Sequence, residues 1–172
     1  MSDRLLVAFH NKRAVVKPVG RATFKLAPAL KRFSVSVMSK GCRDVHFDMS
    51  ECTTLDSTFM GVLAGIAMWP LPEGKNVHVA LTGLGARTRS MLATLGLERV
   101  MTCSEGRPPP WTDGGLAGDA AVREIRHEAG KAETLDTMLT AHQDLVRLDK
   151  DNEARFCDVL TYLDQEIKRV DD

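Results

Sequence analysis

The side chains best placed to do chemistry are Asp56, Ser57 and Thr58, a carboxylate followed by two hydroxyls at the point where the hydrophobic pattern changes period. Before them, Val45, Phe47 and Met49 alternate with Asp44, His46 and Asp48, the period of a strand with one buried face. After them, Phe59, Val62, Leu63 and Ile66 recur at helical spacing until Pro70 and Pro72 stop the pattern. The junction therefore predicts two hydroxyls at a helix N-terminus. The first amides there lack intrahelical partners, and the helix dipole favours an oxyanion on Ser57 or Thr58. The same residues also suit an ordinary N-cap made by Asp56 or Ser57.

Other chemistries have less to work with. A hydrolytic serine needs a base, and Asp56 alone activates a hydroxyl poorly; no G-x-S-x-G elbow is present. Asp48, Glu51 and Asp56 surround one loop, but three carboxylates in a turn are ordinarily solvated rather than gathered on magnesium. The run Thr82-Gly83-Leu84-Gly85-Ala86-Arg87 has neither the third glycine of a dinucleotide loop nor a Gly-Lys-Ser/Thr, so its glycines read as turn formers. Cys42, Cys52, Cys103 and Cys157 form no C-x-x-C pair, and His10, His46, His78, His127 and His142 are scattered, so no zinc spacing emerges. The expected class is a non-catalytic binding switch with no cofactor and no metal; a small hydrolase acting through Ser57 is a third reading.

The elements that must position Ser57 follow from the same periodicities. Strands are predicted at Arg4 to His10, Ala14 to Val19, Val45 to Met49 and Asn76 to Leu81. Pro18 should end the second strand or turn its missing amide away from a ladder. A helix opens at Pro28, carries Leu30, Phe33 and Val37 inward, and is capped by Gly41. With the helix after Ser57 it should cover one face of the sheet.

With these elements in place, Val7 to about Met101 resembles the STAS domains of bacterial anti-sigma-factor antagonists, whose loop D-S-S-G-L-G-V-L carries a serine phosphorylated by a partner kinase. Asp56-Ser57-Thr58-Phe59-Met60-Gly61-Val62-Leu63 matches in register, and Leu95-Gly96-Leu97 stands where the family closes its last helix. Phe59 replaces the family's first glycine, and Thr23, in Gly20-Arg21-Ala22-Thr23, replaces the acidic end of G-E-L-D. The resemblance implies a mixed β-sheet covered by helices on one face. It further implies Ser57 as the phosphorylation site, with Thr58 as the alternative, and a partner surface made by Asp56, Ser57, Thr58, Phe59, Met60 and Thr23. The implied partner is an anti-sigma serine kinase or related switch protein, with Arg87 and Arg89 near enough to meet a phosphate. The alternative within the resemblance is a STAS subunit regulating an ABC transporter ATPase.

Composition fits a globular protein, with 44% hydrophobic and 27% charged residues, but the zero net charge is unevenly spread. Residues 1–104 hold 14 Lys and Arg against 7 Asp and Glu, whereas 105–172 hold 9 against 16. The basic part should therefore meet an acidic surface, either its own tail or a partner, unless both are simply solvated. Nucleic acid is not expected, because no Lys/Arg stripe is interleaved with aromatics and only 5% of residues are aromatic. The longest apolar run, Gly61 to Leu71, is far below the roughly 20 residues needed to span a bilayer, so a cytoplasmic protein is expected.

Three units are expected: a STAS domain at 1–104, a Pro/Gly-rich linker at 105–130 with Trp111 packed on the domain, and a helical extension at 131–172. The extension contains neither Gly nor Pro, and a 4-3 seam from Leu135 to Val170 is apolar at its ends but acidic at Asp149 and Glu153. Two helices broken near Asp149 to Asn152 account for this, as a hairpin on the chain's own domain or as a homodimer or docking element.

Overall fold

Alternating apolar residues at the N-terminus make a hairpin, and everything else in the domain is laid beside it. In the computed structural model, which describes residues 2–106 and 122–172, β1 (Arg4–His10) runs antiparallel to β2 (Arg13–Ala22). Asn11 and Lys12 make the turn, both at positive φ. On its other side β2 takes two parallel partners in succession: β3 (Asp44–Asp48) against Arg13 to Val16, then β4 (Cys52–Leu55) against Gly20 to Ala22. Pro18 falls between the two pairings, where no ladder on that side needs its absent amide. β5 (His78–Thr82) and β6 (Thr102–Cys103) extend the sheet in parallel beyond β3. At the far edge β7 (Arg123–Glu124) pairs antiparallel with β1, giving the order β6-β5-β3-β2-β1-β7 with β4 beside β2.

Two differences from the sequence reading have simple causes. The stretch expected as a polar loop before Ser57 contains β4, which shows no alternation because Thr53 and Thr54 are exposed and only Leu55 is buried. His46, expected on the polar side of its strand, is fully buried, because its ring is paired at Nε2 with the Thr82 hydroxyl at 2.9 Å.

Helix α1 (Ala27–Ser39) begins with Pro28 in its first turn and ends before Gly41, whose φ of +82° suits the left-handed residue after a helix. Helix α2 (Ser57–Ala67) supplies Phe59, Met60, Leu63 and Ala64 to the core, and α3 (Ala86–Thr94) adds Leu92. Burial of each large side chain is worth roughly 1.5–3 kcal/mol, so α2 is firmly seated. The extension forms α4 (Lys131–Leu148) and α5 (Asp151–Asp171), broken at Asp149 and Lys150. They fold back as an antiparallel pair, with Lys131 of α4 3.9 Å from Glu166 of α5.

The break is pinned to the domain. Asn152 is fully buried and its amide donates to the Leu95 carbonyl at 2.9 Å and the Leu145 carbonyl at 2.8 Å. Asp149 approaches Gly96, whose φ is +85°, and pairs with Arg99 at 3.1 Å. The packing of Trp111 lies outside the described residues. No helix among the described residues is long and apolar enough to cross a membrane.

Candidate functional site

Asp56 closes the first turn of α2 and ties it to the start of α1. Its carboxylate accepts from the Phe59 amide at 2.8 Å and, with its other oxygen, from the Phe24 amide at 2.7 Å. Its own amide donates to the Ala22 carbonyl at the end of β2. Burial raises its pKa above the ordinary carboxylate value, while the Phe59 and Phe24 amides oppose that shift. Of the two capping residues the sequence allowed, Asp56 is the cap.

Ser57 is therefore the first helical residue, and its hydroxyl points to a group the sequence reading did not connect with it. Ser57 Oγ lies 2.9 Å from Nε2 of His142 on α4. His142 is only 2% exposed, and its Nδ1 lies 2.7 Å from the Met138 carbonyl oxygen. A carbonyl can only accept, so Nδ1 carries the proton, and in the neutral ring Nε2 accepts from the Ser57 hydroxyl. The edge-to-face contact with Phe156 of α5, centroids 4.9 Å apart, fixes the ring further.

Hydroxyl, imidazole and an orienting acceptor in line recur in acyl-transfer enzymes. The rest of such a site is occupied otherwise. The amides of the first turn, which an oxyanion would need, are directed at the Asp56 carboxylate. For the same reason the helix terminus offers an anion on Ser57 less than the sequence suggested, since a half-buried carboxylate already sits there.

The structure distributes the other expected site residues unevenly. Thr58, Phe59 and Met60 are buried at 3%, 0% and 2% exposure, so their side chains are turned into the domain rather than outward. Thr23 is half-buried and its carbonyl accepts from the Leu26 and Ala27 amides at the start of α1. Arg89 pairs with Glu98 at 3.3 Å, and neither it nor Arg87 reaches the Ser57 hydroxyl. Asp48 and Glu51 converge on the Lys17 ammonium, whereas the Asp56 carboxylate is held by the Phe24 and Phe59 amides.

The contact between Ser57 and His142 belongs to the most extensive helix contact in the described structure, that of α4 on α2. Ser57, Gly61 and Gly65 stand four residues apart and present a low ridge to α4. A Cβ on Gly61 would be driven into the Ala141 backbone, and one on Gly65 would stand 2.5 Å from Asp144 Oδ2. Asp144, whose pKa is raised by burial while the charges of Arg147 and Lys31 oppose the shift, borders a 410 Å³ cavity between α1, α2 and α4. Small residues at positions 57, 61 and 65 were the one sequence signal of this contact; His142, 85 residues from Ser57, gave none beyond its place on the buried seam.

A family profile described as "Mlab, STAS domain" matches residues 5–102, more than half of the chain. The chain belongs to the STAS domain family. Among solved structures it is similar to a putative anti-sigma factor antagonist from Thermotoga maritima, with TM-score 0.52 and 15% identity over 64% of this chain and 92% of that one. An anti-sigma factor antagonist from Mycobacterium paratuberculosis gives TM-score 0.52 and 22% identity over 68% and 93%. The anti-sigma factor antagonist SpoIIAA in its unphosphorylated form gives 0.50 and 12% over 67% and 98%. At these identities the likeness is one of fold. Among curated proteins no sequence matches. The STAS match ends at residue 102, so α4, α5 and His142 lie outside it.

Proposed function

We propose that the protein is a non-catalytic regulatory switch of the anti-sigma-factor-antagonist kind, which binds a serine kinase through the Ser57 loop and α2 and is released when Ser57 is phosphorylated. The observation that supports this most is the position of Ser57. It heads α2 of a STAS fold within Asp56-Ser57-Thr58-Phe59-Met60-Gly61-Val62-Leu63, and its hydroxyl faces away from the domain core toward a second helix. In this reading the partner brings ATP and magnesium, the γ-phosphoryl group passes from ATP to Ser57 Oγ, and ADP and the hydroxyl proton are released.

Magnitudes say what such a change does. Phosphorylation adds nearly two negative charges, and a charge at a helix terminus is worth about 0.3–1 kcal/mol at a surface. The burial of Phe59, Met60 and Leu63 outweighs this, so the fold survives. Misplaced charge in an interface costs several kcal/mol, with each 1.4 kcal/mol about tenfold in affinity, so binding is what changes.

Intact mass after incubation with the cognate kinase and ATP tests the reading. One phosphate is gained by the native chain and none by Ser57→Ala; no gain, or the same gain in both, rejects it. A second reading, a STAS subunit of an ABC transporter ATPase, draws on the hydrogen bond already made by Ser57 to His142, because a constitutive docking surface needs no free acceptor. Co-purification with an ATPase and a permease distinguishes it.

A further inference from the structure

A partner that binds α2 and the Ser57 loop meets a face that is already covered. Ser57 meets His142, Gly61 receives the Ala141 backbone, and Gly65 receives Asp144. We propose that α4 occupies in cis the surface through which the STAS domain takes its partner. Partner binding and hairpin docking then exclude one another, and the partner presents a helix of α4's kind. This inference rests on the reading of α2 as the partner face.

Two features of the contact define that helix. Its crossing point must carry a small residue, because Gly61 leaves room for a backbone and not for a side chain on α2. Its flank must be acidic. Asp136 and Glu133 of α4 pair with Lys31 and Arg32 of α1, and Arg32 also donates to the Arg126 and Glu128 carbonyls on the approach to α4. The ion pairs join the basic domain to its acidic tail, so charge complementarity selects the same class of occupant in cis and in trans.

The cover is also incompatible with a modified serine. At 2.9 Å from Nε2 there is no space between Ser57 Oγ and His142 for a phosphoryl group, and the neighbouring Asp56 carboxylate repels one. A kinase reaches the hydroxyl only after α4 lifts, and the phosphorylated face cannot take α4 back in this arrangement.

Tethering gives α4 a high effective concentration, and a partner's apparent affinity is reduced by the fraction of molecules in which the face is closed. The test uses the full chain and a labelled peptide of residues 131–148 as the probe, read by fluorescence anisotropy. Ala141→Glu puts a bulky charge at the crossing point with Gly61 and lifts α4, whereas Gly65→Cys with Asp144→Cys joins α4 to α2 when oxidised. The peptide should bind Ala141→Glu at least tenfold more tightly than the native chain, and the oxidised double variant not at all. Equal affinity in all three overturns the proposal. Should Ala141→Glu fail to fold, the double variant carries the comparison alone: equal peptide binding before and after reduction overturns it. No kinase takes part, so this result and the mass measurement on Ser57→Ala succeed or fail separately.

Discussion

His46 shows how one buried ring contributes to the pH response of the fold. Desolvation lowers its pKa below the ordinary 6.5, against a smaller opposing effect of Asp48, so the folded state favours the neutral ring. Its contribution is therefore complete above pH 6.5 and is lost as pH falls through the folded-state value. Asp56 and Asp144 act in the opposite sense: their raised pKa values contribute fully below the ordinary 3.8 and fade as pH rises. Between pH 7 and 5 the native chain should lose more stability than His46→Asn, so the gap between their denaturant midpoints should narrow as pH falls. A gap that stays constant would show that the ring is not the titrating group. At this scale the sequence was legible where neighbours in the chain act together. Asp56 and Ser57 could be placed at a helix start from the change of period, but burial of His46 depends on Thr82, and the partner of Ser57 lies on a helix far along the chain. No local pattern encodes such distances.

At the scale of elements, Gly61 decides how closely two helices approach. In an isolated helix, Gly→Ala stabilises by about 1 kcal/mol. Here the added methyl enters the Ala141 backbone, and overpacking typically costs about 1–3 kcal/mol, so the sign reverses. Gly61→Ala should speed amide exchange in α4 and α5 while leaving β3 and β5 protected; slower exchange in α4 would contradict the packing. The helix break at Asp149 was readable because acidic residues interrupt an apolar seam, and α1 was readable from Pro28 and Gly41. β4 was not, since a strand with only one buried residue has no alternation to detect, and its pairing is supplied by the end of β2.

For the whole molecule, the division into a basic domain and an acidic tail becomes physical contact. Arg4 meets Glu124, Lys31 meets Asp136, Arg32 meets Glu133 and Arg99 meets Asp149, each pair taking its cation from the basic part at 1–104 and its anion from the acidic part at 105–172. Each exposed pair contributes only about 0–1 kcal/mol, and salt screens it, with a Debye length of about 10 Å at 0.1 M and about 3 Å at 1 M. Raising salt across that range should therefore speed exchange in α4 and α5 more than in the sheet; equal response everywhere would mean that charge does not hold the tail. The domain's fold was legible because the resemblance to STAS domains runs from Val7 to about Met101, whereas the direction in which the tail folds back was not, since charge balance alone allows a partner in its place. The same tail also carries β7, and Ile125 donates its amide to the Leu5 carbonyl beside it. Peeling the chain away as far as Arg123 would bare the outer rim of β1, a template for strand addition between molecules. The price of an opened switch is thus a stickier sheet, and colloidal stability sets a limit on how long the tail can stay away.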